Sequence, residues 1–285
     1  MKMELVLMLG MVGGQGAAQI LHATGQRPAF QVATIKPSSG TETRAGMGFS
    51  AGGRGFTTVN ATVRDLIQEA YNVKSAGQIE GASGWMTADK FDIEARMDDA
   101  QVEAMTNLAM EKKIEQVRLM LQSLLEERFA LKLSESTRQA TFFDLVVAKG
   151  GAKLKPTEMA PVDATGAPAH SVNGTRLLRR GPGKLEATGA SMGLLTDTLS
   201  RLHELGAEGG FTVGELIVDK TGLTGMYDWT LNWTPDAVAQ GDDVGDAGGP
   251  SLFTALQEQL GLKLEKTKAP VEVLVIEHVE RPTEN

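Results

Sequence analysis

Gly55-Phe56-Thr57-Thr58-Val59-Asn60, followed by Thr62-Val63-Arg64-Asp65-Leu66-Ile67-Gln68-Glu69-Ala70-Tyr71, decides the reading of the fold because its pattern is written twice. The hexapeptide has strand character. After it, Val63, Leu66, Ile67, Ala70 and Tyr71 fall at helical spacing, and Thr62 with Asp65 makes a capping box at the helix start. Further on, Gly183-Lys184-Leu185-Glu186-Ala187-Thr188 leads into Ser191 to Leu202, where Met192, Leu195, Leu199 and Leu202 form one apolar stripe. Strand then helix, twice, is an internal repeat, and a repeat fixes architecture before any single element does.

The correspondence continues downstream. Lys90-Phe91-Asp92-Ile93-Glu94-Ala95 and Met226-Tyr227-Asp228-Trp229-Thr230-Leu231-Asn232-Trp233 both alternate apolar and polar residues with period two, as half-buried strands do. A second helix follows in each half, striped by Ile114, Val117, Leu121, Leu124 and Leu125 in one and by Leu252, Ala255, Leu256 and Leu260 in the other. Both helices run into strand sequence, and the last strands expected are Phe142 to Ala148 and Val271 to Ile276. Each half thus predicts strand, helix, one or two strands, helix and a closing hairpin. Consecutive strands joined by short turns pair antiparallel, so the fold class expected is α+β, with two related units, each a mainly antiparallel sheet carrying two helices. The boundaries expected are a signal peptide over 1–18, a first unit over 28–155, a Pro- and Gly-containing linker over 156–183, and a second unit over 184–285 with a loose Gly- and Asp-rich insertion at 236–250.

The 285 residues suit two compact units. A formal charge of -8 repels phosphate backbones. The one basic cluster, Arg176, Arg179, Arg180 and Lys184, has no interleaved aromatics and reads as a solvated linker, so no nucleic-acid partner is expected. The absence of cysteine removes thiol catalysis, disulfides and Cys-ligated zinc. At the start of the chain, Lys2, the apolar stretch Leu5 to Val12 and the small residues Gly16-Ala17-Ala18 read as a secretory signal cleaved after Ala18. A frayed N-terminal helix is the competing reading. No later stretch approaches 18 consecutive apolar residues, so no integral membrane segment is expected after signal removal.

Four strings resemble active-site motifs but lack the context those motifs require. Gly48-Phe49-Ser50-Ala51-Gly52 spells a nucleophile elbow, which needs a strand before it and a helix after it. Gly53-Arg54-Gly55 starts no helix, so a hairpin or flexible loop is expected. Gly46 to Ala51 matches a dinucleotide fingerprint on paper only, without a βαβ unit around it. Lys220-Thr221-Gly222 resembles a penicillin-recognising triplet, yet no Ser-x-x-Lys accompanies it, and it reads as a turn. Asp242, Asp243 and Asp246 lack EF-hand spacing. His22, His170, His203 and His278 form no His-Glu-x-x-His pair. Tyr227, Trp229, Leu231 and Trp233 share one strand face and read as core, while Trp85 is placed over the edge of the first unit or against a partner. No residue is therefore assigned to catalysis, to a cofactor or to a metal.

Phe30-Gln31-Val32-Ala33-Thr34-Ile35-Lys36-Pro37-Ser38, Ala70-Tyr71, Ile79-Glu80-Gly81-x-x-Gly84-Trp85, Phe91-Asp92-Ile93, Leu124-Leu125-x-x-Arg128-Phe129, Val218-Asp219-Lys220-Thr221-Gly222-Leu223-Thr224-Gly225 and Pro282-Thr283-Glu284-Asn285 occur in order. In these blocks the chain resembles an uncharacterised soil-bacterial family expanded in acidobacteria. The resemblance implies an exported protein of unknown function, related to a domain sometimes attached to membrane zinc peptidases of the β-lactam-sensor type. It brings no catalytic residues with it. The expectation that follows is a non-enzymatic, periplasmic or secreted module of the cell envelope that binds an unknown small molecule or an envelope protein. The alternatives are a hydrolase of envelope or extracellular polymers working through carboxylates such as Asp92, Asp219 or Asp228, and a structural envelope component.

Overall fold

The computed structural model describes residues 20–23, 25, 27–39, 46–50, 53–108, 110–157, 177–181, 183–202, 216–234 and 249–282. The elements run β1 (Val32–Pro37), β2 (Gly46–Phe49), β3 (Gly55–Thr62), α1 (Val63–Ala70), β4 (Ile79–Glu80), α2 (Trp85–Ala88), β5 (Lys90–Arg96), α3 (Asp99–Thr106), α4 (Met110–Phe129) and β6 (Lys132–Val147). They continue as β7 (Lys155–Pro156), β8 (Leu177–Gly181), β9 (Lys184–Ala190), α5 (Met192–Ser200), β10 (Ile217–Asp219), β11 (Tyr227–Asn232), α6 (Leu252–Ala255) with a following π turn (Leu256–Leu260), and β12 (Leu262–His278). The fold is α+β, with mainly antiparallel sheets.

The helix starts follow from local chemistry. At α1 the Thr62 hydroxyl accepts from the Asp65 N–H at 3.2 Å while the Asp65 carboxylate accepts from the Thr62 N–H at 2.9 Å, which satisfies two backbone donors the first turn leaves open. At α5 the Ser191 hydroxyl accepts from the Leu194 N–H at 3.2 Å, with no acid available to reciprocate. The predicted stripes are the buried faces: Val63, Leu66, Ile67 and Ala70 in α1, and Met192, Leu195 and Leu199 in α5.

Among the described residues three four-stranded sheets form, in the orders β1-β5-β3-β2, β10-β6-β12-β4 and β7-β11-β9-β8. The first sheet closes with α1 and α4 over a core that includes Leu66, Phe91, Leu121, Leu125 and Phe129. The third packs with α5 and α6 around Leu185, Leu195, Leu199, Leu231 and Leu256. The middle sheet serves both: Leu274 of β12 enters the first core, while Leu145 of β6 and Leu262 of β12 enter the second.

The closing hairpins expected in each half are not formed. Each is one long strand, β6 or β12, and the two pair antiparallel with each other from Lys132↔His278 to Val147↔Leu262. The cause lies in the residues between the expected arms. In the first half, Ser134 to Thr141 contains no Gly, Pro, Asn or Asp to turn the chain; in the second, Pro270 stands between the expected arms but is accommodated within β12, opposite Gln139. Short parallel strands finish this sheet crosswise, with β4 of the first half on β12 and β10 of the second half on β6. Strands β7 and β8 lie at the two ends of the stretch expected to be a linker, and residues 158–176 between them fall outside those described, as do residues 236–248 of the expected insertion and the expected signal segment.

A detail recurs in the two outer sheets. The β3/β5 register shifts between Thr58 and Ala61, where Asn60 takes a positive φ of 58° and donates its N–H to the Asp92 carboxylate at 2.9 Å. The β9/β11 register shifts between Tyr227 and Trp229, and Gly189, with φ 64°, donates its N–H to the Asp228 carboxylate at 2.9 Å. In both places an aspartate on the neighbouring strand receives the N–H of a left-handed residue at a bulge.

Candidate functional site

The residues singled out by motif occupy structural positions. Gly48 and Phe49 end β2, and Ser50 begins the turn into β3: the Ser50 N–H donates to the Gly55 carbonyl at 3.0 Å and the Gly53 N–H to the Ser50 carbonyl at 2.9 Å. This is strand, turn and strand, where an elbow or a dinucleotide loop requires a helix. At Lys220-Thr221-Gly222 the Asp219 carboxylate accepts from the Thr221 N–H (2.9 Å) and hydroxyl (2.7 Å), that hydroxyl accepts from the Leu223 N–H (3.1 Å), and Gly222 has φ 70°. The triplet is a turn. Asp228 also accepts from the Thr157 hydroxyl at 2.6 Å. Asp92, Asp219 and Asp228 thus each hold backbone in place, one on each of three different sheets. Asp242, Asp243, Asp246, His170, His203 and Arg176 lie outside the described residues.

The aromatics divide as expected. Trp229, Leu231 and Trp233 are buried in the second core with Tyr227 against them. Trp85 lies edge-on to Phe91, and the Arg281 guanidinium sits 4.9 Å over its ring while bonding Asp89 at 3.0 Å. His278 meets Glu280 at 2.8 Å on the surface. Lys184, from the basic cluster, pairs with Glu186 at 3.5 Å.

Two clusters bring together residues that no spacing pattern connects. His22 stands between Glu135 of β6 and Glu272 of β12, with Nδ1 2.9 Å from one carboxylate and Nε2 2.5 Å from the other. Their ligand-type atoms all lie within 4.8 Å of one another. The segment bearing His22 is pinned independently: Ile20 is buried in the first core, the Leu21 N–H donates to the Tyr71 carbonyl at 2.8 Å, and the buried Gln122 amide donates to the Leu21 carbonyl at 3.1 Å. Finding this cluster from sequence requires the β6/β12 register, because only that pairing puts Glu135 and Glu272 on one face.

The second cluster lies where α1, α4 and α5 meet. Glu69 accepts from Arg118 Nε at 3.0 Å and lies 3.5 Å from Arg201 Nη1; nearby, Lys74 pairs with Asp197 at 2.8 Å. Burial by itself pushes the Glu69 carboxyl up, but the guanidinium groups of Arg118 and Arg201 outweigh it and hold the group below its usual 4.5.

Cavities and exposed surface supply the remaining geometry. A cleft of about 120 Å³ is lined by Ala29, Phe30, Val32, Leu124, Glu127 and Arg128. Strand β2 is the outer strand of the first sheet and exposes Met47 (41%) and Phe49 (36%). Since Ser50 points its N–H inward to Gly55, strand alternation turns the N–H groups of Met47 and Phe49 outward. Gly46 and Gly48 have open space where a Cβ would stand. No helix of the described residues is long and apolar enough to cross a membrane.

No curated protein and no solved structure matches the chain. Residues 64–279 match a family described as protein of unknown function (DUF3738), and the chain belongs to that family.

Proposed function

We propose that this member of the DUF3738 family is an exported, non-catalytic docking module that takes an extended segment of an envelope protein onto the edge of β2 that no other strand pairs among the described residues. The observation that carries the reading is that edge: a short outer strand with outward N–H groups, two exposed apolar side chains and glycines between them. Strand addition draws affinity from main-chain hydrogen bonds and specificity from alternate side chains. Folded proteins blunt such edges with short strands, charge, proline or a cover; Gly46-Met47-Gly48-Phe49 is short but has neither charge nor proline. The backbone duties of Asp92, Asp219 and Asp228 count against the carboxylate hydrolase. Export rests on Lys2, the Leu5 to Val12 stretch and Gly16-Ala17-Ala18.

The module is read as two related units. Matching strand orders β1-β5-β3-β2 and β7-β11-β9-β8, the capped strand-to-helix junctions at Thr62 and Ser191, and the paired bulges at Asn60–Asp92 and Gly189–Asp228 support a duplication.

Selection of extended peptides from a random display library on the full chain tests the docking role. Met47→Pro removes one outward donor and one apolar contact at a position where an edge strand tolerates proline. Loss of peptide binding in a variant whose melting temperature is unchanged is the expected result. Peptides that bind both proteins equally, or a turnover abolished by substituting a single carboxylate, would overturn the reading.

A further inference from the structure

We propose that His22, Glu135 and Glu272 form a binding site for a divalent transition-metal ion of the zinc type. Three features of the cluster point there. The donor set is one imidazole and two carboxylates, the mixture that zinc and its first-row neighbours accept and that calcium or magnesium, which prefer oxygen alone, do not. The donors come from three separate stretches of chain whose positions are fixed by other bonds: β6 and β12 by their ladder, and residues 20–22 by the buried Ile20 and the bonds of Leu21 to Tyr71 and Gln122. Charge is the third feature. The ladder sets Glu135 and Glu272 on one face, and among the described residues His22 is the sole ion-pair partner of either. Two carboxylates sharing one imidazole leave the cluster net negative whatever the protonation of the ring.

The fit to an ion requires only side-chain motion. Zinc holds nitrogen and oxygen ligands at about 2.0–2.2 Å. Two ligands of one such ion stand at most about 4.4 Å apart, so donors that lie within 4.8 Å of one another converge on an ion only after side-chain rotation. Nε2 and Glu272, whose side chain is 31% exposed, supply the anchored pair. Glu135, at 64% exposure, is free to swing from Nδ1 onto the ion. Three protein ligands leave a position open to water. Bound there, the ion fastens the N-terminal segment of the described chain across both long strands.

Equilibrium dialysis of the full chain against zinc chloride, with a melting curve at each zinc concentration, tests the site. The expected result is one equivalent bound and a melting temperature that rises with zinc, since a ligand of the native state must stabilise it. His22→Ala should abolish both effects. Glu135→Gln, at an exposed position where folding is not at stake, should weaken binding at least tenfold. The assignment is overturned if the parent protein binds no zinc or if His22→Ala binds it equally. It is also overturned if His22→Ala lowers the melting temperature while zinc has no effect on the parent. That last outcome identifies the cluster as a hydrogen-bonded clamp.

Discussion

Replacing Glu69 by glutamine should destabilise the protein by an amount that vanishes in acid. The carboxylate is contacted by Arg118 at 3.0 Å and Arg201 at 3.5 Å, and the three side chains are 22%, 21% and 25% exposed. An exposed ion pair is worth about 0.2–1 kcal/mol. Truncating a fully buried one costs about 3–5 kcal/mol. With a fifth to a quarter of each side chain in water the cluster lies between these limits, near the roughly 1.5–3 kcal/mol of hydrogen bonds to charged groups. Glutamine keeps the shape and one acceptor, so the loss expected is about 2 kcal/mol. The pH dependence follows from the direction of the shift. The folded-state value lies below 4.5, so the folded protein binds fewer protons on this group than the unfolded chain does. The stabilisation is therefore complete above the unfolded value and is lost as pH falls through the folded one. Urea denaturation of the parent and of Glu69→Gln at neutral pH, repeated in steps into acid, measures both quantities. A neutral-pH difference below about 0.5 kcal/mol, the range of inert surface changes, would refute the reasoning. So would a difference that does not shrink in acid.

Asp92→Ala and Asp228→Ala should each cost about 1–3 kcal/mol by removing the carboxylate that accepts a bulge N–H, and a clear inequality in denaturation midpoint, with one variant inert, would count against the two bulges doing the same job. Gly261→Ala should cost about 3 kcal/mol or more, since residue 261 has φ 65° and a Cβ there would stand 2.1 Å from the Gly151 carbonyl oxygen; a melting temperature equal to the parent's would contradict it. Burial raises the Tyr71 phenol above its usual 10.0, outweighing nearby Arg27, with Glu126 adding to the rise. Folding should therefore lose stability as pH climbs past 10.0, and a Tyr71→Phe variant should lack that loss when the two are denatured side by side in alkali.

The elements most legible in sequence were those whose pattern is local. The stripe of Val63, Leu66, Ile67 and Ala70, the capping pair Thr62–Asp65 and the alternation through Trp229, Leu231 and Trp233 each carry their information within a dozen residues, and each stands where expected. The joining of the halves was not legible. Glu135 and Thr137 stand on a strand whose mate, β12, lies more than a hundred residues away, and strand pairing is a relation between distant segments that periodicity does not encode. The same holds for the His22 and Glu69 clusters, whose partners are assembled by that pairing and by helix packing. Strand β2 escaped notice for another reason: glycine has low strand propensity, and Gly46-Met47-Gly48-Phe49 reads as loop until β3 supplies its hydrogen bonds.

The pairing of β6 with β12 also governs the order in which the molecule is made. Each rung joins residues separated by more than a hundred positions, such as Val147 with Leu262, and such distant closures belong to slow, late steps of folding. While the ribosome is still adding β12, the first core lacks Leu274 and β6 has no antiparallel mate. A nascent chain in that condition stays open and threadable. Nonsense or proteolytic fragments ending before Leu262 should emerge as aggregation-prone species whose sixteen-residue β6 lacks its antiparallel mate.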